Sequence, residues 1–147
     1  MDDLFNTQAY WTALLIAHGL LATALIGALT HQACACLTRQ TRTPTAGFVT
    51  RFKTVPAQRY CHAVVVLWVL CFILGGLIYS EYRISVRMPM EQQAYFKTLG
   101  AFELKEHLSV IGLGMLPAYL WSWRNEQTDG PGLRRHLTVL LALLAWY

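Results

Sequence analysis

The sequence predicts an all-α integral membrane protein, a bundle of four transmembrane helices in which the fourth span is short. Hydrophobic residues make up 55% of the 147 residues and charged residues only 14%, which is more apolar surface than a water-soluble domain of this length can bury. Asp, Glu, Lys and Arg are absent from four windows, residues 4–38, 60–80, 107–123 and 136–147. Four such windows predict four spans within a single transmembrane domain over residues 1–147.

Each window is compared with the roughly 20 helical residues that cross a hydrocarbon core of about 30 Å. The first span, about 10–37, and the second, about 61–79, meet that length. The third, about 107–123, is near the lower limit but ends in a cluster of Tyr and Trp, which is typical of the headgroup level. The fourth, about 133–147, would reach only about 22 Å as a helix. We expect the bilayer to thin around it or a neighbouring helix to support it.

The distribution of cations predicts the orientation. All five charged residues between residues 39 and 59 are Arg or Lys, whereas Asp2 and Asp3 lie near the amino terminus. Because short cytoplasmic loops are enriched in Lys and Arg, the amino terminus is predicted to lie outside the cytoplasm, in a bacterial inner (cytoplasmic) membrane. The net charge of +4 is explained by loops that face anionic lipid headgroups, so no nucleic-acid partner is predicted.

A short amphipathic helix is predicted to lie in the outer interface before the third span. Apolar residues follow Pro89 at near-helical spacing and the pattern stops at Gly100; these residues are Met90, Ala94, Tyr95, Phe96 and Leu99. Such a helix is typical of the membrane surface. This helix is a candidate contact surface for a quinone or a partner subunit.

The histidines are the candidate site residues, because an ionisable side chain at membrane depth is normally there for a function. His18 lies inside the first span, and His31 follows 13 residues later, about 20 Å further along the helix axis. His62 opens the second span on the cytoplasmic side, and His107 opens the third on the outer side. Depth therefore predicts two pairs, His18 with His107 and His31 with His62.

Two histidine pairs at two depths predict haem b, one or two per chain, with bis-histidine ligation that favours electron transfer. Small residues are expected to flank the macrocycle; the candidates are Gly19, Gly27, Gly112 and Gly114. The arrangement resembles the four-helix dihaem membrane cytochromes and the membrane anchors of respiratory dehydrogenases. That resemblance implies a non-catalytic electron-transfer or accessory subunit of a respiratory or photosynthetic complex, with the lipid bilayer and other membrane subunits as partners.

Two alternatives remain open at this point. Cys34 and Cys36, near the cytoplasmic end of the first span, suggest a membrane protein that handles soft metal ions such as copper or mercury, because thiolates bind such ions. The default interpretation of the same cysteines is inert packing, because Cys is common in apolar spans and a reducing cytoplasm would keep both as thiols. The chain is also compatible with a cofactor-free structural subunit, in which His18 merely hydrogen-bonds a neighbouring helix.

Overall fold

The computed structural model describes residues 8–37, 57–124 and 131–147, and within these residues every regular element is helical. This confirms the all-α prediction. Most of the basic first connection lies outside the described residues. The elements in chain order are α1 (Gln8–Leu37), a 3₁₀ turn (Ala57–Tyr60), α2 (Cys61–Tyr82), a π-helical turn (Arg83–Arg87), α3 (Met88–Gln92), α4 (Phe96–Arg124) and α5 (Pro131–Trp146).

Two of the described helices are long and apolar enough to cross a membrane, Gln8–Leu37 and the continuous helical stretch Ala57–Gln92. Only 11% of the most apolar window of the first and 17% of that of the second are buried. The core helix of a water-soluble protein would be mostly buried. In these two helices most apolar side chains are instead at least partly exposed.

Four long helices form the bundle, with α1 packed against α2 and α5, and α4 packed against the same two neighbours. Each of the four helices contributes a fully buried hydrophobic side chain to the core: Leu29, Val64, Tyr119 and Leu141 are all 0% exposed. These residues come from the second half of α1, the start of α2, the end of α4 and the middle of α5. The core therefore occupies one end of the bundle, which we call the core end.

The opposite end, called here the turn end, is formed by residues 83–95. The prediction of a separate interfacial helix that stops at Gly100 is wrong. The helix that begins as α2 continues to Gln92, the chain reverses at Ala94, which has a φ of 58°, and α4 then runs from Phe96 straight through Gly100. A glycine inside a helix costs only about 1 kcal/mol, which burial of Leu99 at 7% exposure readily offsets.

Arg87 connects the π-helical turn to α4 at the turn end. Its Nε donates to Glu91 Oε1 at 2.8 Å and one terminal nitrogen donates to Glu103 Oε1 at 2.8 Å. The other terminal nitrogen donates to the Tyr79 hydroxyl at 3.2 Å. These three bonds fix the turn against both α2 and α4, although exposed ion pairs of this kind contribute little free energy.

Candidate functional site

A cavity of about 580 Å³ lies between the helices on the turn-end side of the core. Residues 15–26 of α1, 68–82 of α2 and 102–110 of α4 contribute to its wall, and Leu144, Ala145 and Tyr147 contribute at the end of α5. The first and last lining positions of α2, Trp68 and Tyr82, are 14 positions apart, which corresponds to about 21 Å along a helix. The cavity is therefore elongated along the bundle.

The lining of the cavity changes from apolar to polar along its length. The part nearest the core is lined by residues such as Leu25, Trp68 and Leu144. Tyr82 and Lys105 line the part nearest the turn. A cavity of this volume with few polar groups has the size and character of a site for a small lipophilic molecule.

His18 supplies the imidazole of the cavity wall. Its ring packs against α2, where a Cβ added at Gly75 would lie 3.5 Å from His18 Cε1. Its Nδ1 atom is buried and has no hydrogen-bond partner within the described residues. Because nearly all buried polar atoms in proteins have a partner, an imidazole whose Nδ1 lacks one is an unusual feature of the cavity wall.

Lys105 brings a positive charge to the same cavity. Its Nζ lies 5.1 Å from the centroid of the Phe102 ring, and that ring stacks on Tyr82 with a centroid separation of 4.1 Å. The ammonium group is also within electrostatic reach of the His18 imidazole. The cavity thus combines an imidazole, an aromatic pair and one cation.

His107, the predicted outer partner of His18, is exposed and is not among the residues that line this cavity. Its Nδ1 lies 2.7 Å from the backbone oxygen of Glu103, one turn earlier in α4. The structure therefore does not place His18 and His107 on a common cavity, and their pairing stays a prediction.

The predicted inner pair occupies two different surroundings. His31 is 6% exposed, and its ring centroid lies 5.0 Å from that of Tyr60. His62 is exposed, and its Nε2 lies 3.1 Å from a terminal nitrogen of Arg124. The core end thus holds one buried and one exposed histidine. That His31 and His62 together bind a haem iron also stays a prediction.

The cysteines are spread over surface and core. Cys34 is exposed, Cys36 is half-buried and Cys61 is buried. Among the residues that the structure describes, no group of three or more His, Cys, Asp or Glu side chains is arranged to hold a metal ion. The soft-metal interpretation of Cys34 and Cys36 stays a prediction.

A buried hydrogen-bond network at the core end was not predicted from the sequence. The Tyr119 hydroxyl donates to Gln32 Oε1, and Gln32 Nε2 donates to the backbone oxygen of Ala57 at 2.9 Å. Trp123 Nε1 donates to Thr138 Oγ1 at 3.1 Å. The network joins α1, the 3₁₀ turn, α4 and α5 and holds them in register. The sequence feature that could have indicated this network is Gln32, an amide side chain inside the charge-free window 4–38.

The glycines also differ from the prediction. Gly112 does not leave room for a macrocycle, because the Trp68 indole lies directly against it, and a Cβ there would be 2.0 Å from Trp68 Cζ2. The glycines of the cavity wall are Gly75 and Gly76 on α2. Sequence alone does not distinguish these from other small residues in apolar helices.

Comparison with known proteins found no matching family model, no matching curated protein and no matching solved structure. Function is therefore argued from the residues of the cavity.

Proposed function

We propose that the chain is a four-helix integral membrane protein of a bacterial cytoplasmic membrane, with its amino terminus outside the cytoplasm. All four long helices carry well-exposed apolar side chains, including Leu20 at 68%, Val66 at 55%, Ile111 at 53% and Leu143 at 63%. Surrounding lipid would cover these side chains at no cost. In this orientation the turn end and the cavity face the outer side, and the core end faces the cytoplasm.

We further propose that the protein is an electron-transfer subunit that holds one haem b in the cavity, with His18 as the iron ligand. The observation that carries this proposal is a buried imidazole with an unpartnered Nδ1 in the wall of a largely apolar cavity of about 580 Å³. Imidazole is a common haem ligand, and an apolar surrounding is what the macrocycle requires. The residues present fit one such group.

When bound, haem would supply one-electron redox chemistry. His18 would bind and orient the iron, with its ring beside Gly75 of α2. Leu25 and Trp68 would exclude water from the apolar part of the cavity, and such burial tunes the reduction potential. Electrons would be exchanged with other membrane subunits or with a quinone. The observations support one site, whereas two stacked haems would need both predicted histidine pairs.

The test is a dithionite-reduced minus oxidised visible spectrum of the full chain in detergent, with a pyridine haemochrome assay. We expect a haem signal in the difference spectrum, a pyridine haemochrome α-band typical of haem b, and about one haem per chain. His18→Ala should lose the haem, whereas His107→Ala, a matched change outside the cavity, should keep it. Ala145→Phe, which narrows the cavity from α5 and not from the helix that carries His18, should also lose it, with folding checked by circular dichroism.

A colourless wild-type protein that is folded and was produced with adequate haem supply would refute the haem proposal. Retention of haem by a folded His18→Ala variant would refute the assignment of the ligand. Loss of haem from His107→Ala would contradict the single-histidine site and favour the predicted outer pair instead.

The second candidate function is a cofactor-free structural subunit of a membrane complex. The Gln32–Tyr119 hydrogen bond and the packed core join α1 and α4 without any ligand. Exposed aromatic side chains, including Trp121 at 47% and Trp146 at 64%, offer surface to neighbouring subunits. A colourless, stable chain that purifies with a defined set of membrane proteins would favour this function.

A further inference from the structure

We infer that the ligand of the cavity carries a carboxylate, and that Lys105 binds this carboxylate at the turn end. This inference rests on the proposed function, in which the carboxylate is a haem propionate. Lys105 and His18 line the same cavity, Lys105 from α4 and His18 from α1. One ligand could therefore contact both side chains.

Lys105 has no carboxylate partner within the described part of the chain. The ion pairs found there are those of Arg87 with Glu91 and Glu103, so the neighbouring carboxylate of Glu103 is already engaged. The Lys105 ammonium group lies over the Phe102 ring instead. Such a cation–π contact leaves its hydrogen-bond donors free for an anion.

The polarity of the cavity orients such a ligand. Leu25 and Trp68 line the part nearest the core, whereas Lys105 and Tyr82 line the turn end. An apolar body would lie towards the core and an ionised edge would lie at Lys105, with His18 between the two. Glu106 also lines the wall and repels an anion, so we expect the preference for a carboxylate to depend on the single positive charge of Lys105.

The experiment titrates the full chain, purified without haem, with iron protoporphyrin IX and with its dimethyl ester, and follows the Soret band. The wild-type protein should bind the free acid about tenfold more tightly than the ester, because a hydrogen bond to a charged group is lost in the ester. Lys105→Gln should bind both forms equally. Lys97→Gln, an exposed lysine of the same helix that does not line the cavity, should keep the preference.

Lys105→Arg retains the charge and should also retain the preference, which separates the role of the charge from a structural effect of the substitution. Equal binding of acid and ester by the wild-type protein would overturn the carboxylate inference while leaving the haem proposal standing. A preference that survives in Lys105→Gln would also overturn it. Failure of the folded wild-type protein to bind either porphyrin would overturn the proposed function itself.

Discussion

Substitution of Gly112 by alanine should destabilise the bundle through a clash with Trp68. The added Cβ would lie 2.0 Å from Cζ2, 2.6 Å from Cη2 and 2.9 Å from Cε2 of the indole. Since carbon atoms pack at about 3.5–4.0 Å, the ring would have to withdraw by about 1.5 Å. Trp68 is only 5% exposed and its Nε1 donates to the backbone oxygen of Ser109 at 3.2 Å, so it has little room to move.

The size of the effect follows from two opposing contributions. Alanine is favoured over glycine inside a helix by about 1 kcal/mol, whereas overpacking of a core typically costs about 1–3 kcal/mol. Gly114→Ala is the matched control, because a Cβ at Gly114 has nothing within 4 Å. Both variants gain the same helix preference of alanine over glycine. Their free energies of unfolding should therefore differ only by the cost of overpacking, about 1–3 kcal/mol, roughly 5- to 150-fold in the folding equilibrium.

The assay is reversible unfolding in detergent micelles by titration with sodium dodecyl sulfate, followed by far-ultraviolet circular dichroism and tryptophan fluorescence. Gly112→Ala should unfold at a lower mole fraction of sodium dodecyl sulfate than Gly114→Ala. Equal stability of the two variants would mean that the Trp68 indole does not cover Gly112, and the packing of α2 against α4 described above would then be wrong.

Three further predictions use the same preparation or the intact cell. Tyr119→Phe should lower the free energy of unfolding by about 1–3 kcal/mol in the same titration, because it leaves a buried amide oxygen of α1 without its donor, whereas the exposed Tyr95→Phe should cost less than about 0.5 kcal/mol. Arg87→Met should lower the free energy of unfolding by less than about 1 kcal/mol, because the ion pairs of Arg87 are partly exposed. High salt should reduce this difference in stability from the wild-type protein, because it screens the ion pairs; a salt-independent loss of several kcal/mol would contradict this. Alkaline phosphatase fused after Ala94 should be active and the same enzyme fused after Arg124 inactive; the reverse result would invert the proposed orientation.

The charge-free windows anticipated where the long helices lie. Helix α1, Gln8–Leu37, covers the predicted first span, and α2, Cys61–Tyr82, covers the second. Helix α4 differs, because it begins at Phe96 instead of near residue 107. Hydropathy reports the solvent that a segment prefers and not its backbone conformation, so a charged segment can continue a helix beyond an apolar window.

The candidate site was only partly predictable. Sequence spacing fixes the depth of a residue along a helix, and it drew attention to His18, which lies in the cavity wall. It does not fix the rotation of each helix about its axis, which decides whether His107 faces a cavity or the surroundings. That rotation depends on contacts such as Trp68 against Gly112, between residues far apart in the sequence. The cavity and its pairing of His18 with Lys105 follow from those contacts.

The buried hydrogen-bond network makes the two ends of the bundle mechanically unequal. Hydrogen bonds that cross between helices at the core end, such as those of Gln32 and Trp123, resist separation of the helices there, whereas farther along the bundle the cavity separates the helices. Local opening in proteins follows such differences, and amide hydrogens of α5 should exchange more slowly than those of residues 8–20. The core end is therefore expected to keep the helices in register while segments beside the cavity open locally.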